Sequence, residues 1–596
     1  MKKLICILTL LLALVCVFAA CDAARSITKS EIVNGELVIT YSDGTTENLG
    51  KVVGADGEKG DKGDTGAQGE KGDKGDTGAT GAQGIQGEKG DKGDTGAQGE
   101  KGEDLTDDNP QGLDFYPLPD GTYGVKAGKA LYLEEVTIPA TYKGKAVTQI
   151  LPNAFSEPDT ENKSLKKLVL PSSVTTICER AIMSCAALET IVIPSSVTRI
   201  GERAFQGSNA IKEVCITDIA SWCKISFASE YSNPLYYAEK LYVNNDSVTA
   251  LIIPEGVTSI SGYVFSGCAF LESITFPSTL TSISEHAFYQ CNGPKSVTIP
   301  SSMASIDSGA FEYFNSLTSI DIPGSVTSIG DSAFCNCTAL TSVTIPNSVT
   351  SIGVGVFFGC DSLTSVIFEE NSRLEVIERS AFSQCYELIS ISVPKSVKSI
   401  GDYAFSGDDD GGYMALESIT FEEGSQLTYI GYGAFAYCTS LSSFVIPNSV
   451  SYIGSDAFSA CWELSYTIYN NGKYLGSSEN PYLYFARVAD ADPFSNADVT
   501  IANTTKFIGS DAFLGYSRYT SLTIPASVIC ISSYAFHNSC FTQIVFENKN
   551  GWVVIDDFYL IDPDFRQEIS ATDLADPATA AEYLTSDYYY YYWHRS

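Results

Sequence analysis

The groups best suited to nucleophilic or metal chemistry are three histidines, His286, His537 and His594, and 17 cysteines in a chain of 596 residues. The C-x-x-C pair that zinc ribbons and thioredoxin-like sites need occurs nowhere. Instead Cys185, Cys268, Cys291, Cys337, Cys360, Cys385, Cys438 and Cys461 each follow an aromatic-position residue by three. A column at fixed spacing reads as a small buried residue that packs well, with free thiols. Stacked neighbours come near disulfide geometry, but such bridges would distort a regular ladder. Cys335 is the odd one beside Cys337, and Cys215 and Cys223 lie close enough in sequence to pair. His286 precedes Ala287-Phe288 and His537 follows Phe536, in different repeats with no patterned nucleophile beside either. They read as solvated or partly packed histidines. The run Asp408-Asp409-Asp410-Gly411-Gly412 lacks the alternating spacing of a calcium loop. Acids elsewhere scatter and do not form the fixed carboxylate pair of a glycan-cleaving enzyme. No catalytic, cofactor or metal residue is assigned, and the chain reads as non-enzymatic.

The elements around these groups are set by repetition. With 37 basic and 72 acidic side chains and a net charge of −35, the chain lacks the Lys/Arg clusters that nucleic acid or an anionic membrane surface requires. Its length exceeds one compact core and predicts several domains or a repeat array. An isoleucine anchor recurs at 150, 177, 200, 260, 283, 306, 329, 352, 377, 400, 430, 453, 508 and 531, most often at steps of 23. Ala or Val follows four residues later and an aromatic five later, except at Ile182. Such a template predicts a solenoid whose units bury apolar faces against one another. In Leu340-Thr-Ser-Val343-Thr-Ile345-Pro346 the alternation points Val343 and Ile345 inward and Ser342 and Thr344 outward. Pro346 ends the strand, and the Ala-Phe-x-x-Cys segment is expected to be a short helical turn. Phe288, Phe334, Phe357, Phe382 and Phe458 are expected in the core. Ser273, Thr275, Ser296, Thr298, Ser342, Thr344, Ser418 and Thr420 would form two outward columns. These are either a solvated β-face or a flat, hydroxyl-rich ligand surface.

The N-terminal fifth differs. Lys2 and Lys3 precede an apolar run from Leu4 to Ala20, the pattern of an export signal. Phe18-Ala19-Ala20-Cys21 resembles the lipobox of bacterial lipoproteins, which implies that Cys21 is lipidated; ordinary secretion is the alternative. Alternating residues 36–41 and 48–53 around Ser42-Asp43-Gly44 read as a β-hairpin. From Gly54 to Gly102 a glycine falls at every third position, seventeen in all, which reads as a collagen-like triple helix. No proline occurs there, so each stalk lysine lying two residues before an acid, as in Lys59-Gly60-Asp61, is expected to pair neighbouring chains. At the polyproline rise this rod would be about 150 Å long.

The repeat, Ile-Pro-x-Ser-Val-x-x-Ile-Gly-x-x-Ala-Phe-x-x-Cys-x-x-Leu, resembles the BspA-type leucine-rich repeats of bacterial surface proteins. The resemblance implies parallel strands in a leucine-rich-repeat solenoid and a role in adhesion. The expected layout is a signal peptide (1–20), a lipid-anchor linker and hairpin neck (21–53) and a collagen-like stalk (54–104). An N-terminal cap (105–140), about fourteen repeats (141–550, with inserts near 212–250 and 465–500) and a C-terminal cap (551–596) follow. The expected partners are two further copies in a homotrimer and an extracellular protein or glycan on host or neighbouring cells. The expected location is the bacterial cell surface, held to the membrane by the lipid alone. A structural surface layer without a ligand, or a glycan-binding or glycan-degrading protein, are the competing readings. Asp576-Pro577 is expected to start a short helix in the C-terminal cap, whose tryptophans could alternatively hold a glycan.

Overall fold

The computed structural model describes residues 27–33, 36–41, 46–51, 109, 111–156, 162–408, 410–489, 499–516, 520–555 and 566–595. The chain divides into residues 1–98 and 99–596. In the first unit, β1 (Ile27–Val33), β2 (Glu36–Tyr41) and β3 (Thr46–Lys51) form one antiparallel sheet in sequence order. The hairpin read from the sequence thus has an additional strand before it, and its second strand starts at Thr46. The collagen-like stretch lies outside the described residues, as does Cys21.

The second unit is a solenoid in which each coil contributes a long and a short strand. In the central coils, the long strands Ser296–Thr298, Ser319–Asp321, Ser342–Ile345, Ser365–Phe368, Ser390–Val393 and Ser418–Phe421 form one parallel ladder. The short ladder runs from Ser305–Ile306 through Ser351–Ile352 to Tyr452–Ile453, in seven strands. Identical repeat positions pair: Val343 with Val366, Ile329 with Ile352, Ile400 with Ile430. In-register stacking follows from the period, because a slip of one residue would turn every buried side chain outward. Glycine follows the short-strand isoleucine because a Cβ at Gly353 would lie 2.4 Å from the Asp331 amide nitrogen of the preceding coil.

The third wall departs from the helical turn expected of Ala-Phe-x-x-Cys; it is a run of turns. Alternate amides leave the coil: Ser332, Phe334 and Asn336 donate to the carbonyls of Val354, Val356 and Phe358, at 2.8, 2.9 and 2.6 Å. The amides between them, of Ala333, Cys335 and Cys337, donate back three residues within their own coil. An α-helix would keep every amide for the carbonyl four residues back, so the inter-coil bonds exclude it. The alternation needs left-handed backbone at two places per coil, here Ser332 (φ 54°) and Asn336 (φ 56°). The phenylalanines stack inside this wall. From Phe265 through Phe288, Phe311, Phe334, Phe357, Phe382, Phe405 and Phe435 to Phe458, successive centroids are 5.3–5.7 Å apart with rings within 16° of parallel.

The two long intervals are less of an interruption than the motif predicts. In the first, Phe227 pairs with Ile200 in the short ladder and Leu241 with Val214 in the long one, so the interval completes a coil. Its buried Trp222 and Asn233 brace the next coil: the indole N–H donates to the Val264 carbonyl, and the amide of Asn233 to the Tyr263 and Val264 carbonyls. In the second, Phe485 pairs with Ile508, but the short ladder ends at Ile453 and a new sheet begins with the hairpin Thr467–Tyr469/Gly472–Leu475. A second hydrophobic core lies beyond this break.

At the N-terminal end Asp114–Pro117 and Tyr123–Lys126 form a hairpin, with Phe115 stacked 4.0 Å from Tyr142. The ladders therefore begin before the first motif isoleucine, since Tyr123–Lys126 and Glu135–Thr137 already pair in parallel with coil strands. At the C-terminal end Tyr592–Arg595 closes antiparallel on Cys530–Ile531. The short helix Pro577–Glu582 lies nearby, with the Asp576 carboxylate accepting from the Ala578 amide at 3.0 Å. Trp552 and Trp593 are each 1% exposed, so neither offers a ring to a glycan. No helix among the described residues is long and apolar enough to cross a membrane.

Candidate binding surfaces

The outward column of the long ladder carries serine at every central coil. Ser296, Ser319, Ser342, Ser365, Ser390 and Ser418 pair in register, and Ser443 bridges to Ser418. Strand spacing puts these hydroxyls about 4.8 Å apart. Ser273, Thr275, Ser296, Thr298, Ser342, Thr344 and Thr420 are exposed, and Ser418 is half-buried. The second column is less uniform than its threonines predict. Asp321, Ile367 and Val445 occupy it in other coils, and Ile252, Ile367 and Val445 are 65%, 53% and 60% exposed. The threonines one place before the serines, Thr318, Thr341 and Thr364, satisfy the ladder itself by donating to the preceding coil's carbonyls at 3.0–3.2 Å.

A shallow groove of about 690 Å³ lies over the short ladder, lined by Ser305, Ser328 and Ser351 with Glu285, Asp307, Asp331 and Glu378. The sequence reading nominated none of these. The acids follow the anchor isoleucine by one or two residues, and at least one is a structural cap: Asp331 accepts from the Val354 amide at 2.8 Å.

The cysteine column does more than pack. Cys337, Cys360, Cys385, Cys438 and Cys461 each donate to the carbonyl of the preceding coil's phenylalanine, at 3.1–3.2 Å. Ser208 occupies the same repeat position and donates to the Ile182 carbonyl at 2.7 Å. The position therefore selects a small donor for a buried carbonyl. Burial pushes these thiols up, Cys461 to about 12, which suppresses the thiolate that nucleophilic or metal chemistry needs. None of the fourteen cysteines of the described residues is in a disulfide, Cys215 and Cys223 included. No group of three His, Cys, Asp or Glu side chains among the described residues could hold a metal ion.

The histidines are dispersed. His286 pairs through Nε2 with Glu312 at 3.0 Å and stacks on Tyr263, 5.3 Å between centroids. The Glu312 hydrogen bond, with the charges of Glu312, Glu285 and Glu230, raises its pKa against the opposing effect of burial. His537 lies beside Tyr534 and Tyr589, and His594 sits in the closing strand, where burial lowers its pKa. In the acidic insertion, Asp408 accepts from the Tyr386 hydroxyl at 2.5 Å and the Gly412 amide at 2.7 Å, which hold its carboxyl below the usual range.

The family model of the BspA type leucine rich repeat region matches residues 129–233, 237–363, 327–465 and 492–559, more than half the chain. The chain belongs to the BspA-type leucine-rich-repeat family. A second model, the collagen triple helix repeat, matches residues 50–107. No curated protein matches the chain. Among solved structures, a leucine-rich repeat protein from Bacteroides ovatus ATCC 8483 is 27% identical, with TM-score 0.42, covering 59% of this chain and 91% of that one. A leucine rich cell surface protein from Faecalibacterium prausnitzii A2-165 is 26% identical, with TM-score 0.38 and the same coverage. A leucine-rich repeat protein from Eubacterium ventriosum ATCC 27560 is 16% identical, with TM-score 0.33, covering 72% of this chain and 94% of that one. Within the BspA-type frame, the signals that sequence reasoning missed are departures from the repeat, such as Trp462 directly after the column cysteine Cys461, where other coils have Thr338, Asp361, Tyr386 or Thr439.

Proposed function

We propose that this BspA-type chain is a non-enzymatic adhesin of a bacterial cell surface. In this reading the lipid on Cys21 holds it, the collagen-like stalk assembles three chains, and three solenoid heads engage an extracellular protein or glycan. The observation that carries the reading is the long ladder, whose aligned serines and exposed Ile252, Ile367 and Val445 make an extended surface. Hydroxyls and scattered apolar contacts over many coils suit many weak contacts summed by avidity. The candidate face comprises Ser273, Thr275, Ser296, Thr298, Ser342, Thr344, Ser418 and Thr420.

Cells displaying the whole chain, or a chain ending after residue 104, test the head. Attachment to immobilised matrix proteins or glycans is expected only with the head present; equal attachment would favour a structural surface layer. Gly75→Ala tests the stalk, because a methyl group does not fit at the triple-helix axis. It is expected to lower the melting temperature of the trimer and to weaken multivalent binding by about one order of magnitude or more. Sedimentation of the unmutated chain as a monomer at all concentrations would remove the trimeric reading.

A further inference from the structure

The break after Ile453 gathers three separate departures from the repeat around one cleft of about 330 Å³. The first is Trp462, an indole 61% exposed where the preceding coil carries Thr439. The second is the insertion at residues 408–413, which sets Tyr413, 44% exposed, edge-on to Trp462 with centroids 5.4 Å apart. The third is the hairpin interval, which supplies Tyr466, Tyr484 and Arg487 to the cleft wall. Tyr484 is buried in the strand that pairs with Phe507, whereas Trp462 and Tyr413 are exposed beside each other, and clustered exposed apolar surface marks interaction sites.

The polar groups are placed as a recognition set. Asp456 and Asp511 both line the cleft, each on left-handed backbone (φ 56° and 58°). Asp456 is held from two sides: the Tyr432 hydroxyl donates to its carboxylate at 3.0 Å, and its amide donates to Ser510 Oγ at 2.7 Å. Asp511 is exposed at the rim. Arg487 lines the same cleft and approaches the Tyr466 ring at 5.8 Å, as does Lys473, which lies outside the lining. The lining therefore joins two carboxylates and one guanidinium to aromatic side chains.

We infer that this cleft is a saccharide-binding site that takes the end of a neutral oligosaccharide, its sugar ring on Trp462 and its hydroxyls shared between Asp456, Asp511 and Arg487. A pyranose offers that combination, with an apolar ring face for the indole and vicinal hydroxyls for charge-assisted hydrogen bonds. Carboxylates and a guanidinium in one lining offer acceptors and donors to the paired hydroxyls of a sugar. The volume falls at the lower end of ligand pockets, about 300–1,000 Å³, which suits a terminal sugar or disaccharide unit. The inference rests on the adhesive reading only for its biological use; the cleft is distinct from the long ladder.

The test is calorimetric titration of the full chain with neutral hexasaccharides of glucose, xylose, mannose and galactose, and with a lysine-rich peptide. At least one hexasaccharide is expected to bind. Trp462→Ala should weaken it at least ~10-fold, a loss of about 1.4 kcal/mol, and Asp511→Asn should weaken it likewise. Both side chains are exposed, so circular dichroism and melting should be unchanged. Tyr590→Ala, an exposed ring in the C-terminal cap, should leave binding intact. Three results would each overturn the inference: no hexasaccharide bound up to ~10 mM, on the weak side of the affinity scale; undiminished binding by Trp462→Ala; or binding of the lysine-rich peptide alone. Cell attachment that persists without any saccharide binding would remove the cleft and leave the adhesive function standing.

Discussion

Replacing Phe357 with alanine probes the wall that makes the solenoid continuous. The ring is fully buried and stacked 5.5 Å from both Phe334 and Phe382, at 7° and 13°. Its amide donates to Ala381 at 2.9 Å, and its carbonyl accepts from Cys385 Sγ at 3.1 Å. These bonds, with the pairing of Ile352 to Ile377 and of Val343 to Val366, hold the flanking coils apart. The cavity left by the ring therefore cannot collapse, which places the loss in the upper half of the usual 3–5 kcal/mol for Phe→Ala, at about 4 kcal/mol. Phe357→Leu keeps most of the volume and should cost roughly 1–1.5 kcal/mol. Urea denaturation of the head gives both values. Hydrogen exchange should then show lost protection first at the Phe357 and Gly359 amides, which bond to the next coil, because each coil leans only on its neighbours. A loss below about 1 kcal/mol for the alanine variant, or one spread evenly over all coils, would refute the stacked-wall argument.

Cys360→Ala should cost about 1–3 kcal/mol by leaving the Phe334 carbonyl unpaired, whereas Cys360→Ser should cost less because Ser208 already fills that role; thermal melts compare them. Native alkylation at pH 8 should reach the exposed Cys540 and spare the buried column until the head unfolds. His286 has a folded pKa raised chiefly by its bond to Glu312. Its contribution is therefore complete below the unfolded value of 6.5 and is lost as pH rises through the folded value. Head stability should fall over that interval, and His286→Gln should flatten the dependence in pH-series denaturation. Cys21→Ala should release the protein from membranes into the medium on fractionation, and unchanged association would sink the lipid anchor.

The acidic charge, the unbroken glycine period, the 23-residue step and the placement of Val343 and Ile345 against Ser342 and Thr344 were all legible along the chain. Each is a constraint between a residue and its near neighbours, or its copy one repeat away, and a period records such constraints directly. The turn wall was not legible. Ala-Phe-x-x-Cys has local helical spacing, but alternate amides bond to the following coil, and that competition appears only when coils stack. The long intervals misled for a related reason: Phe227 and Phe485 replace the anchor isoleucine, and only pairing with Ile200 and Ile508 reveals them as coil members. Least legible was the cleft. Asp456 and Asp511 hold the same place in two Ile-Gly-Ser-Asp-Ala-Phe copies, but Trp462 and Arg487 belong to no such repeat position, and nothing in the period says that the two copies face one cleft. They meet because the short ladder ends at Ile453 and the hairpin that follows turns the chain back beside the last regular coil. Repetition specified the scaffold, since every coil repeats one contact set; the break, a tertiary event with no period, decided where unlike side chains converge.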